Sequence, residues 1–294
     1  MRPEVECGSC ITQWIYHRAA TELPDQERLR LLEVLLATMV ENSGTLPCMG
    51  QVSNRSTEAA FALAPAARGA YGDAKAASNR AAAELLPAAS AYIEAGNTAG
   101  ERFTRACSVA TLANVAPLGV PTGPFSFDEL QGLLKQGRPA PSVQGDVTAG
   151  LGARRVVYAL DNAGEVGFDS LVIRLLKEAG AHVTLVVKVP EFFEDATLED
   201  ARFFSLDGLV DQVVSVDGFL VPVEAREAAA EALARCDLVI SKGTGSFESL
   251  HGELGETPGI FLLKVKCRPI SRLLGVPEGN FVIAATQGGA LWHG

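Results

Sequence analysis

Basic residues are scarce in this chain of 294 residues. The 25 Lys and Arg stand against 35 Asp and Glu, giving a net charge of −10 and a pI near 5.0. The deficit excludes non-specific nucleic-acid binding, which needs a cationic surface that releases counterions. No apolar run reaches the ~18 residues of a bilayer span. The opening MRPEVECGSCITQW has two acids and no apolar stretch of signal-peptide length. No membrane partner is therefore expected, and the expected location is the cytoplasm. The six cysteines (Cys7, Cys10, Cys48, Cys107, Cys236 and Cys267) are scattered through the chain, unlike a disulfide framework. Only 6% of residues are aromatic, yet 48% are hydrophobic. That is enough to bury a large core and to exclude disorder as the main state.

What is present divides the chain in two. Residues 25–40, DQERLRLLEVLLATMV, set Leu29, Leu32, Leu35, Leu36 and Met39 at helical spacings. Residues 72–95 and 101–116 are Ala-rich with few β-branched residues, which suits packed helices. Pro and Gly punctuate at Gly44-Thr45-Leu46-Pro47 and at 121–124. Residues 136–152 are rich in Gly, Pro and small polar residues and read as a boundary or linker. Two units follow from this: a helical region 1–150 and an α/β domain 151–294. The second carries more of the acidity, with 13 Lys/Arg against 20 Asp/Glu, compared with 12 against 15 in the first.

In that second unit β-rich runs at 155–160, 183–189, 213–216, 237–241, 260–265 and 281–284 alternate with helical stretches at 165–179 and 223–235. Such alternation predicts a mostly parallel, Rossmann-like sheet covered by helices on both faces. Ligands in such folds bind beyond the carboxyl ends of the strands. The first strand is followed by Asp161-Asn162-Ala163-Gly164-Glu165. Asp161 and Asn162 offer hard oxygen ligands for Mg²⁺ or Mn²⁺, and equally fit a turn and helix cap. After the second strand, Asp195 faces across from Asp161 or caps the next segment. Glu191, Glu194, Glu199 and Asp200 read as solvated charges. After the fourth strand, Ser241-Lys242-Gly243-Thr244-Gly245-Ser246 resembles an anion-binding loop in which Gly243 and Gly245 admit backbone N–H groups and Lys242 adds charge. An ordinary βα turn has the same composition. It is not a Walker loop, because the lysine precedes the glycines.

Four separated segments carry a resemblance. DNAGEVGFDSLVIRLL at 161–176, EDAT at 194–197, SKGTGSFESL at 241–250 and FLLKVKCRPISRLLGVPEGNFVI at 261–283 resemble the damage-control phosphatase family. Cys7-x-x-Cys10 and Lys266-Cys267 resemble its archaeal and bacterial branch. The resemblance implies an α/β fold with an added helical portion and a metal-dependent phosphatase activity on small phosphorylated metabolites. It implies one divalent ion (Mn, Co, Ni or Mg) held by Asp161, Asn162 and Asp195. Lys242 is the implied catalytic lysine, and Glu165, Glu248 and Asn114 the implied substrate contacts. Two departures stand out. Ser246 replaces an Asn of the usual loop, and Pro117 stands where relatives tend to carry Asp, although Asn114 is kept.

The cysteines pose a second question. Cys7, Cys10 and Cys267 supply three thiolates for a soft metal, with His17 or His251 as a fourth ligand. A CxxC pair is equally a redox motif or two buried thiols on one helix face. Cys48, Cys107 and Cys236 read as core residues. His182 begins a strand and His293 lies in the tail, so no histidine sits in a triad context. Rival classes are a Rossmann-like nucleotide enzyme and a CxxC metal or redox module. The first lacks G-x-G-x-x-G after its first strand. A haloacid-dehalogenase-type phosphatase needs an Asp where Ala163 stands.

Overall fold

A computed structural model describes residues 1–21, 23–42, 44–115, 125–287 and 290–291. Pro117, the 121–124 turn and His293 lie outside the described residues.

Among the described residues six α-helices come first: α1 (Val5–Ala19), α2 (Asp25–Asn42), α3 (Met49–Leu63), α4 (Gly72–Glu94), α5 (Ala99–Leu112) and α6 (Asp128–Lys135). Strand and helix then alternate through β1 (Ser142–Gln144), β2 (Arg155–Ala159), α7 (Val166–Glu178), β3 (His182–Lys188), α8 (Leu198–Phe203) and β4 (Gln212–Val216). The rest comprises α9 (Glu227–Arg235), β5 (Leu238–Lys242), α10 (Gly243–Leu250), β6 (Gly259–Lys264), α11 (Arg268–Leu274), β7 (Phe281–Gln287) and β8 (Ala290–Leu291).

The strands form one sheet in the order β1-β7-β6-β5-β2-β3-β4, with β8 paired to β7. Pairings from β6 through β5, β2 and β3 to β4 are parallel; β7 runs antiparallel to β6. From β2 the chain proceeds outward to β3 and β4, then returns to the other side for β5 and β6. The switch point therefore falls between β2 and β5, where ligand crevices open in such sheets.

Alternation along the strands sorts the core into two layers. Tyr158, Leu185, Ile240 and Leu262 face a cluster built with α4, α5, α6 and α7. Val157, Val186, Val239 and Phe261 face a cluster built with α1, α2, α3, α10 and α11. The expected three-layer α/β architecture with a helical N-terminal region is what forms. Its N-terminal helices are shared between both faces of the sheet.

Two details differ from the sequence reading. The Gly- and Pro-rich stretch 136–152 contains β1, which pairs in parallel with β7 through Ser142–Val282, Val143–Ile283 and Gln144–Ala284. Three residues are too few for a periodic signal. On α2 the buried face is Leu31, Leu35 and Met39, while Leu29 and Leu36 are exposed. Leucines sit on nearly every side of that helix, so spacing alone did not fix its rotation.

Candidate active site at the sheet switch point

The turn after β2 and the segment after β3 are laced together by backbone. Ala196 N–H donates to the Asp161 carbonyl at 2.7 Å, and Ala163 N–H to the Glu194 carbonyl at 3.0 Å. Asn162 and Asp195 form an isolated antiparallel bridge. This pairing brings Asp161, Asn162 and Asp195 together. Gly164 takes φ +72° to turn the chain into α7, and its N–H donates to Asn79 Oδ1 at 2.6 Å. The helix cap reading of Asp161 and Asn162 does not hold: the residue that opens α7 is Glu165, without a side-chain cap bond.

Asp161 Oδ2 accepts from the Nδ2 groups of Asn114 and Asn162, both at 2.8 Å. Asn162 Nδ2 also donates to Glu165 Oε1 at 2.9 Å. With that nitrogen committed, its Oδ1 is the atom left to ligate. Asn114 reaches both Glu165 oxygens at 3.0 and 3.1 Å, while its Oδ1 accepts from Lys264 N–H. Asn114, at the end of α5, thus orients both Asp161 and Glu165.

Asp161 and Asp195 are both buried and both line the same cleft. Burial, then Glu165, pushes Asp161 up to about 6. Burial likewise holds Asp195 well above the carboxylate range, with Lys188 working against it and Asp161 adding to it. Asp195 Oδ2 is buried with no hydrogen bond, and Lys188 Nζ stands 3.5 Å away. Two adjacent acids with an orphaned oxygen, beside a free carboxamide oxygen, match the donor set of a hard divalent ion. The residues present fit the metal that the sequence reading expects.

Gly243 shows how tightly the third turn closes on this pair. Its φ is +80°, and a Cβ there would lie 1.9 Å from Asp161 Oδ2. Only glycine lets the start of α10 lie on that carboxylate. Gly245 has another reason to be glycine, because a Cβ would lie 2.2 Å from the Phe219 ring.

Lys242 departs from its expected place. It is fully buried and donates from Nζ to Glu165 Oε2 and to the Ala110 carbonyl, both at 2.7 Å. Asp169 Oδ1 lies 3.5 Å away and accepts from Tyr158 OH at 2.7 Å. Burial works against the Lys242 charge, but Asp169 and Glu165 outweigh it and hold the ammonium above its ordinary value. Lys242 therefore lies beneath the site, and the cations lining the cleft are Lys266 and Arg18. Glu165 is also fully buried, as a support for Asn162 rather than a cleft residue.

The cleft is small, with about 70 Å³ of room for water-sized groups. Asp161, Asn162, Asp195 and Gly245 form its floor side; Cys10, Ile11, Trp14 and Arg18 contribute one face of α1; Glu248, Lys266 and Cys267 complete it with Phe219 and Glu194. Burial pushes the Glu248 carboxyl up to about 7, partly offset by the N-terminal ammonium and then by Lys266. Sequence reasoning missed Arg18, whose buried guanidinium grips Glu194 through Nε at 2.9 Å and stacks 4.9 Å over Trp14. Glu194 and Asp200 are not solvated. Glu194 pairs with Arg18, while Asp200 pairs with Lys75 at 3.0 Å and closes a capping box with Thr197. Only spatial partners distinguish these acids from the exposed Glu191 and Glu199. Of the three cysteines weighed as a thiolate site, Cys10 and Cys267 line the cleft and Cys7 is buried beside them. Burial pushes Cys10 up to about 11 and Cys267 up to about 12. Among the described residues no three His, Cys, Asp or Glu side chains are disposed to hold a metal. The oxygen site has two carboxylates and a carboxamide instead.

A parallel α/β sheet with an oxygen-donor cleft at its switch point defines the class. The ARMT1-like damage-control phosphatase domain matches residues 4–282. The chain belongs to that family. It is 28% identical to a damage-control phosphatase of Archaeoglobus fulgidus, over 96% of this chain and 98% of that one. It is 35% identical to a damage-control phosphatase of Pyrococcus horikoshii over 44% of this chain and 46% of that one. The crystal structure of a DUF89 family protein from Pyrococcus horikoshii shares the fold, with a TM-score of 0.78 and 22% identity over 98% of this chain and 99% of that one. No helix among the described residues is long and apolar enough to cross a membrane.

The raised carboxyls have a consequence for stability. Burial pushes Asp169 and Glu248 each up to about 7. A folded pKa above the unfolded ~4 means the folded state binds more protons over that window. The contribution is present below ~4 and is lost as pH rises through ~7. Metal-free protein is expected to melt several degrees higher at pH 5.5 than at pH 8, by thermal scan in EDTA. Glu248→Gln flattens that dependence.

Proposed function

We propose that this chain is a divalent-metal-dependent phosphatase that hydrolyses phosphomonoesters of small metabolites, sugar phosphates or damaged phosphometabolites, in the cytoplasm. The observation that carries the reading is the buried Asp161–Asp195 pair with its orphaned oxygen at the sheet switch point. Asp161, Asn162 and Asp195 would hold Mn, Co, Ni or Mg, all compatible with oxygen donors. When bound, such an ion polarises phosphoryl oxygens and lowers the pKa of a water.

The chain's own groups supply the rest. Lys266 lines the cleft and meets the charge of the ester dianion. The first N–H groups of α10, at Gly243, Thr244 and Gly245, have no partner within their helix and suit phosphate oxygens. Glu248 changes protonation near neutral pH and can take or give a proton at the cleft wall. Asn114, Glu165 and Lys242 act from beneath, holding Asp161 and Asn162 in place. Trp14 and Phe219 wall the cleft against water.

The test is a screen of phosphomonoesters with EDTA-stripped protein reloaded with each of the four ions. Asp161→Ala is expected to lose at least about 100-fold in rate, beyond the 10–100-fold typical of outer-shell partners. Glu199→Ala, at an exposed position, is expected to keep the parental rate. Equal rates in the two variants reject the reading.

A further inference from the structure

Lys188 closes β3 and is buried, with only 4% of its surface exposed. Its Nζ donates to the Gly218 carbonyl at 2.7 Å and lies 5.1 and 5.6 Å over the rings of Phe219 and Phe192. Its backbone N–H donates to the Ala196 carbonyl at 2.9 Å, and Lys188 bridges to Thr197. One residue thus ties the 194–197 segment by its main chain and faces Asp195 Oδ2 with its ammonium. Glu194, the neighbouring acid, is engaged by Arg18. Among the described residues, Lys188 is the cation that Asp195 pairs with.

The aromatic rings and the Gly218 carbonyl fix that ammonium where it cannot swing into solvent. A 3.5 Å separation without a hydrogen bond leaves Asp195 oriented but not saturated. We propose that Lys188 is a positioning residue for the metal site: it keeps the Asp195 carboxylate aimed at Asp161 and Asn162 and balances the paired acids until the ion arrives. The inference rests on the metal-dependent reading above.

Calorimetric titration of EDTA-stripped protein with Mn²⁺ tests it independently of turnover. Lys188→Met is expected to weaken Mn²⁺ binding 10–100-fold, the range of outer-shell partners. Lys188→Gln, which can still donate to Gly218, should weaken it similarly, and Lys188→Arg should recover most of it. Lys177→Met, which removes a lysine paired with Asp211 far along the chain, should leave affinity unchanged. Circular dichroism verifies folding of each variant. A folded Lys188→Met or Lys188→Gln protein with parental or tighter Mn²⁺ affinity overturns the proposal while leaving the metal reading intact. A parent that binds no Mn²⁺ overturns both.

Discussion

Gly243→Ala is expected to reduce turnover by at least about 100-fold, with Mn²⁺ affinity falling alongside it. The added methyl has no room: it would stand 1.9 Å from Asp161 Oδ2 and 2.3 Å from Cγ. The carboxylate is itself pinned by Asn114 and Asn162, so it cannot step aside without breaking two hydrogen bonds. The backbone adds its own resistance, because φ +80° suits only glycine and costs about 1–3 kcal/mol for other residues. Relief must come from moving α10 or Asp161 by about an ångström. Displacements of ~1 Å in a positioned site cost about 100-fold. Gly252→Ala is the matched control: it also has positive φ, but nothing lies within 4 Å of the new methyl. It is expected to lose some stability and keep its turnover. Steady-state kinetics and Mn²⁺ titration of the two variants check the contrast. Equal turnover in both would show that the close approach to Asp161 is incidental.

The positions of these groups were partly legible in the sequence. Strand–helix alternation located the βα turns, and strand-end logic drew attention to Asp161, Asn162, Asp195 and Gly243. That Asp161 and Asp195 meet depends on β2 and β3 pairing in parallel register, which the alternation implies. Chemical type alone could not say which way a side chain points. Lys242 looks like a phosphate ligand in a Lys-Gly-x-Gly loop, yet it is the last residue of β5. Strand pleating turns it into the layer occupied by Glu165 and Asp169, while the loop beyond it faces the cleft. Lys266, which does line the cleft, comes from a segment that carries no glycine-rich signature. Arg18 was invisible for a different reason. Its partner Glu194 is 176 residues away, and a lone Arg near the end of a helix looks like any solvated charge. Long-range ion pairs leave no local pattern.

Lys242→Met carries the largest expected loss of stability, about 3–5 kcal/mol by chemical denaturation. Lys242 and Glu165 are both fully buried, and Asp169 is buried beside them. Removing the ammonium leaves Glu165 Oε2 without its cation and the Ala110 carbonyl without its donor. Breaking one partner of such a pair is far costlier than replacing the whole pair by apolar groups, because the remaining charge cannot reach water. Methionine fills the space of the lysine stem, so cavity formation contributes little. The loss is therefore electrostatic, and a compensating change should recover it. Glu165→Gln with Lys242→Met removes both charges and is expected to be more stable than Lys242→Met alone, despite carrying one more substitution. The same double variant separates support from substrate binding. If Lys242 acts from beneath, through Glu165 and Asn162, the folded double variant should lose kcat while its KM for a phosphomonoester changes less than about threefold. If the ammonium reaches the ester directly, KM rises by tenfold or more, the weight of one charge-assisted contact. Urea titration of the single and double variants, followed by saturation kinetics of those that fold, distinguishes the two placements of this lysine.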